Sequence, residues 1–164
     1  VQGATQSQRS IVNNWKISDV LKLNYRPDDN YEFTLHGGGT YYLIKSQREG
    51  FNNIHAGDYN IGMNAQITLP WKLQLTTDLT MFARRGYQLS EMNTTDWIWN
   101  AQLSRSFINK KLLVKLQGFD ILRQLSNTQY LMNAQGRTET WNNSIPRYVM
   151  LSLSWRFNVN PKKK

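Results

Sequence analysis

Few residues of this chain are suited to covalent chemistry, and they are not spaced for it. His36 and His55 stand alone, and cysteine is absent. Without cysteine there are no disulfides, thiolate nucleophiles or thiolate metal sites. No HExxH pair and no Ser-nucleophile elbow occurs. No acid, base and nucleophile can be assembled, so the sequence speaks against an enzyme and calls for no cofactor. Gly37-Gly38-Gly39 resembles a phosphate cradle only superficially, since neither a helix pattern nor Lys-Ser/Thr follows it. What remains is the chemistry of binding. Asp78, Arg84, Lys115 and Asp120 lie on or near polar strand faces and are candidates for lining a solute path. Trp97, Tyr130 and Trp141, near long loops, can stack on a sugar or siderophore, and girdle anchoring explains Trp97 equally well.

The elements that must position these residues are strands. The closing segment Arg147–Asn158, RYVMLSLSWRFN, alternates Val149, Leu151, Leu153, Trp155 and Phe157 with mostly polar or small neighbours. Strand side chains alternate between faces, so one face is apolar and the other wettable. The same period of two recurs over about 11–26, 31–46, 59–69, 73–84, 97–107 and 112–122. Tyr59–Leu69 has the cleanest alternation, with Tyr59, Ile61, Met63, Ala65, Ile67 and Leu69 on one face. Asp19 interrupts the apolar face of the first strand; a bulge or a site above the lipid band is expected to accommodate it. The glycine run is expected to weaken the second strand. A helical period competes nowhere.

Bulk properties narrow the class. The 164 residues suffice for one domain. A formal charge of +9 permits anionic partners. The Lys and Arg are scattered and no nucleic-acid motif is present, so nucleic acid is not an expected partner. Mean hydropathy is −0.60, and no apolar run approaches the roughly 20 residues of a membrane helix. Barrel strands hide their hydrophobicity in alternation, so a membrane is still allowed.

Connections decide between a soluble sandwich and a membrane barrel. Short turns at Pro27–Asn30, Pro70–Lys72 and Asn109–Lys111 alternate with long loops at Gln47–Asp58, Tyr87–Asp96 and Arg123–Pro146. Outer-membrane barrels pair short periplasmic turns with longer extracellular loops. The last loop has room for a short strand pair of its own. Trp15 and Tyr25, Tyr31 and Tyr41, and Trp97 and Phe107 are spaced ten residues apart on one face. Ten tilted residues cover roughly 24 Å, the height of the apolar band between aromatic girdles. The fold class is therefore all-β, an antiparallel up-and-down transmembrane barrel. About seven or eight strands occupy residues 1–158, and a basic tail follows at 159–164. Seven strands fall short of the even number, eight or more, of bacterial barrels. The piece is thus expected to belong to a larger barrel, or to find an eighth strand in Val1–Ser10 or the last loop. Val1-Gln2-Gly3 lacks an initiator Met and any signal-like apolar region, which favours the C-terminal part of a longer chain.

The segment NAQLSRSFINKKLLVKLQGFDILRQ (100–124) resembles the penultimate hairpin of bacterial barrels related to TonB-dependent receptors. RYVMLSLSWRFN resembles their last strand, and LKLNYRPDDNYEFTLHGGGTY an earlier hairpin. The resemblance implies a large barrel, an upstream plug domain and energised uptake through TonB. It implies that the last strand, with Trp155 and Phe157, is the assembly signal read by the barrel-assembly machinery. The residues past Phe157 depart from receptors that end on that aromatic. The implied surroundings are outer-membrane lipid and lipopolysaccharide, the latter a natural partner for the basic pair Arg84-Arg85. The competing expectations are a self-contained small outer-membrane barrel and a soluble β-sheet module that binds carbohydrate.

Overall fold

Alternation along the chain becomes two chemically distinct faces of one sheet. The computed structural model describes residues 12–46, 53–126, 128–133, 136–143 and 145–157. Its strands are β1 (Val12–Tyr25), β2 (Tyr31–Ser46), β3 (Ile54–Leu69), β4 (Leu73–Arg85), β5 (Thr95–Phe107), β6 (Leu112–Phe119), β7 (Thr128–Asn133), β8 (Gly136–Trp141) and β9 (Tyr148–Trp155). Seven of them form an antiparallel up-and-down sheet in the order β1-β2-β3-β4-β5-β6-β9. The pair β7–β8 stands apart as a hairpin within the last long loop.

Register aligns like with like. One row reads Leu23, Leu35, Met63, Leu79 and Trp99. The row one residue away reads Asn24, Thr34, Asn64, Asp78 and Asn100. A slip of one residue in any strand would put its apolar set on the polar face, so the pattern itself fixes the pairing. The apolar face carries no second protein layer among the described residues: Leu21, Ile61 and Leu153 are 64%, 55% and 67% exposed. Aromatics rim this face. Trp15, Tyr41, Tyr59 and Trp97 lie toward the long loops, and Tyr25, Tyr31, Trp71, Phe107 and Trp155 toward the short turns.

The turns follow from local chemistry. Asp28 Oδ1 accepts hydrogen bonds from the N–H of Asn30 at 2.7 Å and of Tyr31 at 3.1 Å, closing the first turn as an Asx side chain does. Trp71 and Lys72 both take left-handed φ, 63° and 59°, and so connect β3 to β4 with the twist a tight hairpin needs.

Several boundaries differ from the sequence reading. The glycine run does not interrupt β2: Gly39 lies so close beneath the Tyr59 ring that a Cβ there would meet Tyr59 Cδ1 at 3.2 Å. An aromatic ring covering a strand glycine replaces the missing packing. β3 starts at Ile54 rather than Tyr59, because Ile54 pairs with Ile44 and both side chains are buried. β6 stops at Phe119 rather than near Leu122, since Asp120 turns the chain with φ 44°. Asp19 has neither of the expected excuses. It pairs in unbroken register with Gly39, between Ile17 and Leu21 on the apolar face. The extra strand considered for Val1–Ser10, the tail 159–164, and residues 47–52 of the first long loop lie outside the described residues.

A small core sits on the polar face. Ile44, Ile54 and Ala56 are buried together with Tyr87 and Met92 of the loop between β4 and β5. That loop, read from sequence only as a long connection, folds back over the sheet, and Met92 is 0% exposed.

Candidate functional site

The polar face is a built surface. Thr34 Oγ1 donates to Asn24 Oδ1 at 2.8 Å, and Asn100 Nδ2 donates to Asp78 Oδ2 at 2.9 Å. Asn100 Oδ1 in turn accepts the Asp120 N–H at 2.9 Å. Asn64 stands between Thr34 and Asp78 in the same row. Amide, hydroxyl and carboxylate groups in a continuous band offer both donors and acceptors to a polar solute.

The four ionisable candidates occupy three separate places. Asp78 and Asp120 are joined through Asn100, but in different roles. Asp78 sits in the middle of β4, whereas Asp120 is buried and its carboxylate accepts the N–H groups of Gln124 at 3.0 Å and Leu125 at 3.1 Å. Asp120 thereby holds the start of the last long loop. Lys115 lies nearer the short turns, in the row of Ser104 and Ser152. Arg84 is near the long loops, where its Nε meets Asp58 Oδ1 at 3.0 Å and its guanidinium lies 5.1 Å from the Tyr87 ring centroid. Arg85 donates to the Thr94 carbonyl at 2.7 Å and to Thr95 Oγ1 at 2.6 Å, so both arginines brace the β4–β5 loop.

Tyr87 completes this clamp. Its hydroxyl donates to Asp58 Oδ1 at 2.9 Å. Burial first, and then the Asp58 carboxylate, push its phenol up to about 12. His36 bridges in another way. Its Nε2 lies 3.4 Å from Thr80 Oγ1 across Gly62, whose missing side chain leaves the path open.

Below the last long loop, a cavity of about 410 Å³ is lined by Ile98, Asn100, Phe119, Asp120, Leu125, Ile145, Pro146 and Tyr148. The Phe119 and Tyr148 rings stack with centroids 4.5 Å apart. The cavity combines an aromatic wall with Asn and Asp groups, the usual make-up of a small-molecule subsite. Trp97 lies toward the long loops on the apolar face, while the side chains of Tyr130 and Trp141 lie outside the described residues. Among the described residues no three His, Asp or Glu side chains converge as a metal site requires.

Asn24, Asn64, Asn100, Asp58 and Tyr87 escaped the sequence reading. Each Asn is an unremarkable polar residue in its own strand, and only the register aligns them. Asp58 and Tyr87 are 29 residues apart in the chain, and their pairing depends on a loop folding inward, which alternation does not encode.

Neither the curated proteins nor the solved structures yielded a match to the chain. The sequence profile of one family, however, spans nearly all of it. Taken with an exposed apolar face, paired aromatic rims and an up-and-down sheet, that match at residues 4–155 shows that the chain belongs to the outer membrane protein beta-barrel family, and its place is the bacterial outer membrane.

Proposed function

We infer that the chain forms part of the wall of a solute-uptake barrel resembling TonB-dependent receptors. The observation that carries this reading is the direction of the two edge strands. β1 and β9 both run toward the short turns, since Tyr25 precedes the first turn and Trp155 pairs with Leu112 beside the third. Direct closure of these seven strands would set β1 and β9 parallel, whereas bacterial barrels close with antiparallel neighbours and an even count. An edge left open in lipid leaves backbone groups unsatisfied. Further strands beside β1 and β9 meet both demands. The polar band from Asn24 to Asn100 then faces the lumen, where a solute or a plug domain would meet it. In this reading the barrel-assembly machinery grips β9 through Trp155 and Phe157, and TonB energises passage.

Because cysteine is absent, engineered cysteines report strand neighbours directly. Pairs that join Ser18 or Lys22 of β1 to Ser152 or Ser154 of β9 are expected to stay uncrosslinked in the assembled barrel. Efficient crosslinking would mean that the seven strands close directly on themselves; a small barrel with one added strand also keeps β1 and β9 apart, and the uptake measurement separates it from the larger one. Solute accumulation by intact cells is expected to collapse on addition of a protonophore; uptake indifferent to it would rule out TonB coupling.

A further inference from the structure

We propose that the polar face of β4, β5, β6 and β9 is a track for a neutral oligosaccharide, which stacks on Phe119 and Tyr148 at the long-loop end and follows the amides of β4, β5 and β6. The inference deepens the uptake reading above by naming the solute class, and rests on that reading's assignment of the polar face to the lumen. Three spaces lie end to end on this one face. The cavity of about 410 Å³ below the last long loop is the first. Asn100 and Phe119 also line the second, of about 150 Å³, together with Thr76, Gln102 and Gln117. The third, of about 600 Å³, takes over at Gln74 and Ser104, each two residues beyond a member of the second, and reaches the short turns. Register sets Gln74 beside Ser104, Thr76 beside Gln102 and Gln102 beside Gln117, so the donors share a face. From Ile98 to Ser106 the track follows β5 for roughly 27 Å.

Charge along the track disfavours ionic solutes. Asp78 and Asp120 line the first two spaces, and no cation does among the described residues. Lys72, Arg105 and Lys110 line the third, and no described carboxylate does. Lys115, in the row of Ser104, adds to this second zone. The rows of Asp78 and Lys115 are about 13 Å apart along β5. An anion is repelled in the first zone and a cation in the second, whereas a neutral polyol is repelled in neither. A zwitterion would need carboxylate oxygens open to its ammonium group. Asp120 is 3% exposed and already accepts two backbone N–H groups, and Asp78 Oδ2 already accepts from Asn100. Amides and rings suit a sugar instead. Asn100 donates one N–H to Asp78 and accepts one from Asp120, which leaves an N–H and a lone pair for a solute. A sugar hydroxyl is donor and acceptor at once and matches such a pair. The stacked rings of Phe119 and exposed Tyr148 offer an apolar surface to the C–H face of a pyranose.

The test offers hexasaccharides, which reach from one charged zone into the other, to the full polypeptide in detergent micelles. Maltohexaose and the chitin hexamer are neutral, the deacetylated chitin hexamer is cationic in mildly acid buffer, and hexagalacturonate is anionic. Titration calorimetry is expected to find a neutral hexamer bound at least about fivefold more tightly than either charged one. Tyr148→Ala is expected to weaken that binding about fivefold, and Tyr148→Phe to keep it. Lys72→Glu with Lys110→Glu removes the cationic zone and is expected to raise affinity for the cationic hexamer about tenfold, a gain that misfolding cannot produce. Charged hexamers bound as tightly as neutral ones, or an unchanged affinity in Tyr148→Ala, would overturn the proposal. So would hexa-alanine, a zwitterion, bound as tightly as the better neutral hexamer, which would make the track a peptide site. Binding in micelles requires no energy source, so its selectivity decides the solute class, and the protonophore measurement separately decides coupled uptake.

Discussion

Tyr87 donates its phenolic hydrogen to Asp58 Oδ1 at 2.9 Å, and this contact pins the β4–β5 loop onto the polar face of the sheet. The same carboxylate oxygen accepts from Arg84 Nε. Tyr87→Phe keeps the ring over Arg84 but removes the donor. A hydrogen bond to a charged group contributes about 1.5–3 kcal/mol, and the loop is expected to loosen by an amount at the low end of that range. Faster amide hydrogen exchange at Met92 and Asn93 in the variant, with β2–β3 exchange unchanged, is the expected readout.

The same contact sets a pH limit. The neutral phenol is the form that donates, and its folded value of about 12 lies above the ordinary value of about 10. A group raised in this way contributes its full stabilisation below the unfolded value and loses it as pH climbs through the folded one. Loop docking is therefore expected to be insensitive to pH up to about 10 and to be lost toward about 12. Phenolate absorbance followed against proteolytic nicking of the loop checks this, and Tyr87→Phe should abolish the coupling between the two.

Gly62 is held small by its neighbours. A Cβ there would meet His36 Nε2 at 2.5 Å and Thr80 Oγ1 at 2.6 Å. Gly62→Val is expected to destabilise the sheet by about 1–3 kcal/mol, as overpacking does. His36→Ala removes the obstructing ring, so the double variant should recover a large part of the loss. Urea unfolding in detergent micelles measures both.

Asp19 exposes a carboxylate on the lipid-facing side of β1, in a strand position between Ile17 and Leu21. Its Oδ1 accepts only the N–H of the following Val20, at 2.8 Å, among the described side-chain bonds. Charges on this face cost less for Asp than the ~2–4 kcal/mol of Lys or Arg at the bilayer midplane. Asp19→Leu is expected to stabilise the assembled protein by about 1 kcal/mol. Unchanged stability would mean that a neighbouring strand supplies Asp19 with a partner.

Phe157 is 82% exposed and its ring lies 6.2 Å from that of Trp155. If the assembly machinery reads this pair, replacing both by Ser should leave β9 able to pair with β6 but slow insertion. The fraction of chain with heat-shifted mobility in outer-membrane extracts is expected to fall several-fold while total synthesis stays constant.

Much of the fold was legible because lipid imposes a simple rule. Every second residue from Tyr59 to Leu69 must suit acyl chains, so the period of two survives and gives face, strand and turn together. The Asx turn at Asp28 was equally readable, since its partners are two and three residues away. The first residues of β3 were missed because Ile54, Ala56 and Asp58 answer to a folded-back loop and not to lipid or water. The polar band was missed for a related reason. Asn24 and Asn100 become neighbours in one surface only after four pairing registers are known.

The common heading of β1 and β9 also constrains whatever completes the ring. Seven strands are already placed in the sheet, so an even total with alternating directions requires an odd complement. That complement must begin and end with strands ascending from the periplasm. One added staple is the minimum, and a 22-strand enclosure would need about fifteen; every even-numbered supplement is forbidden by parity alone.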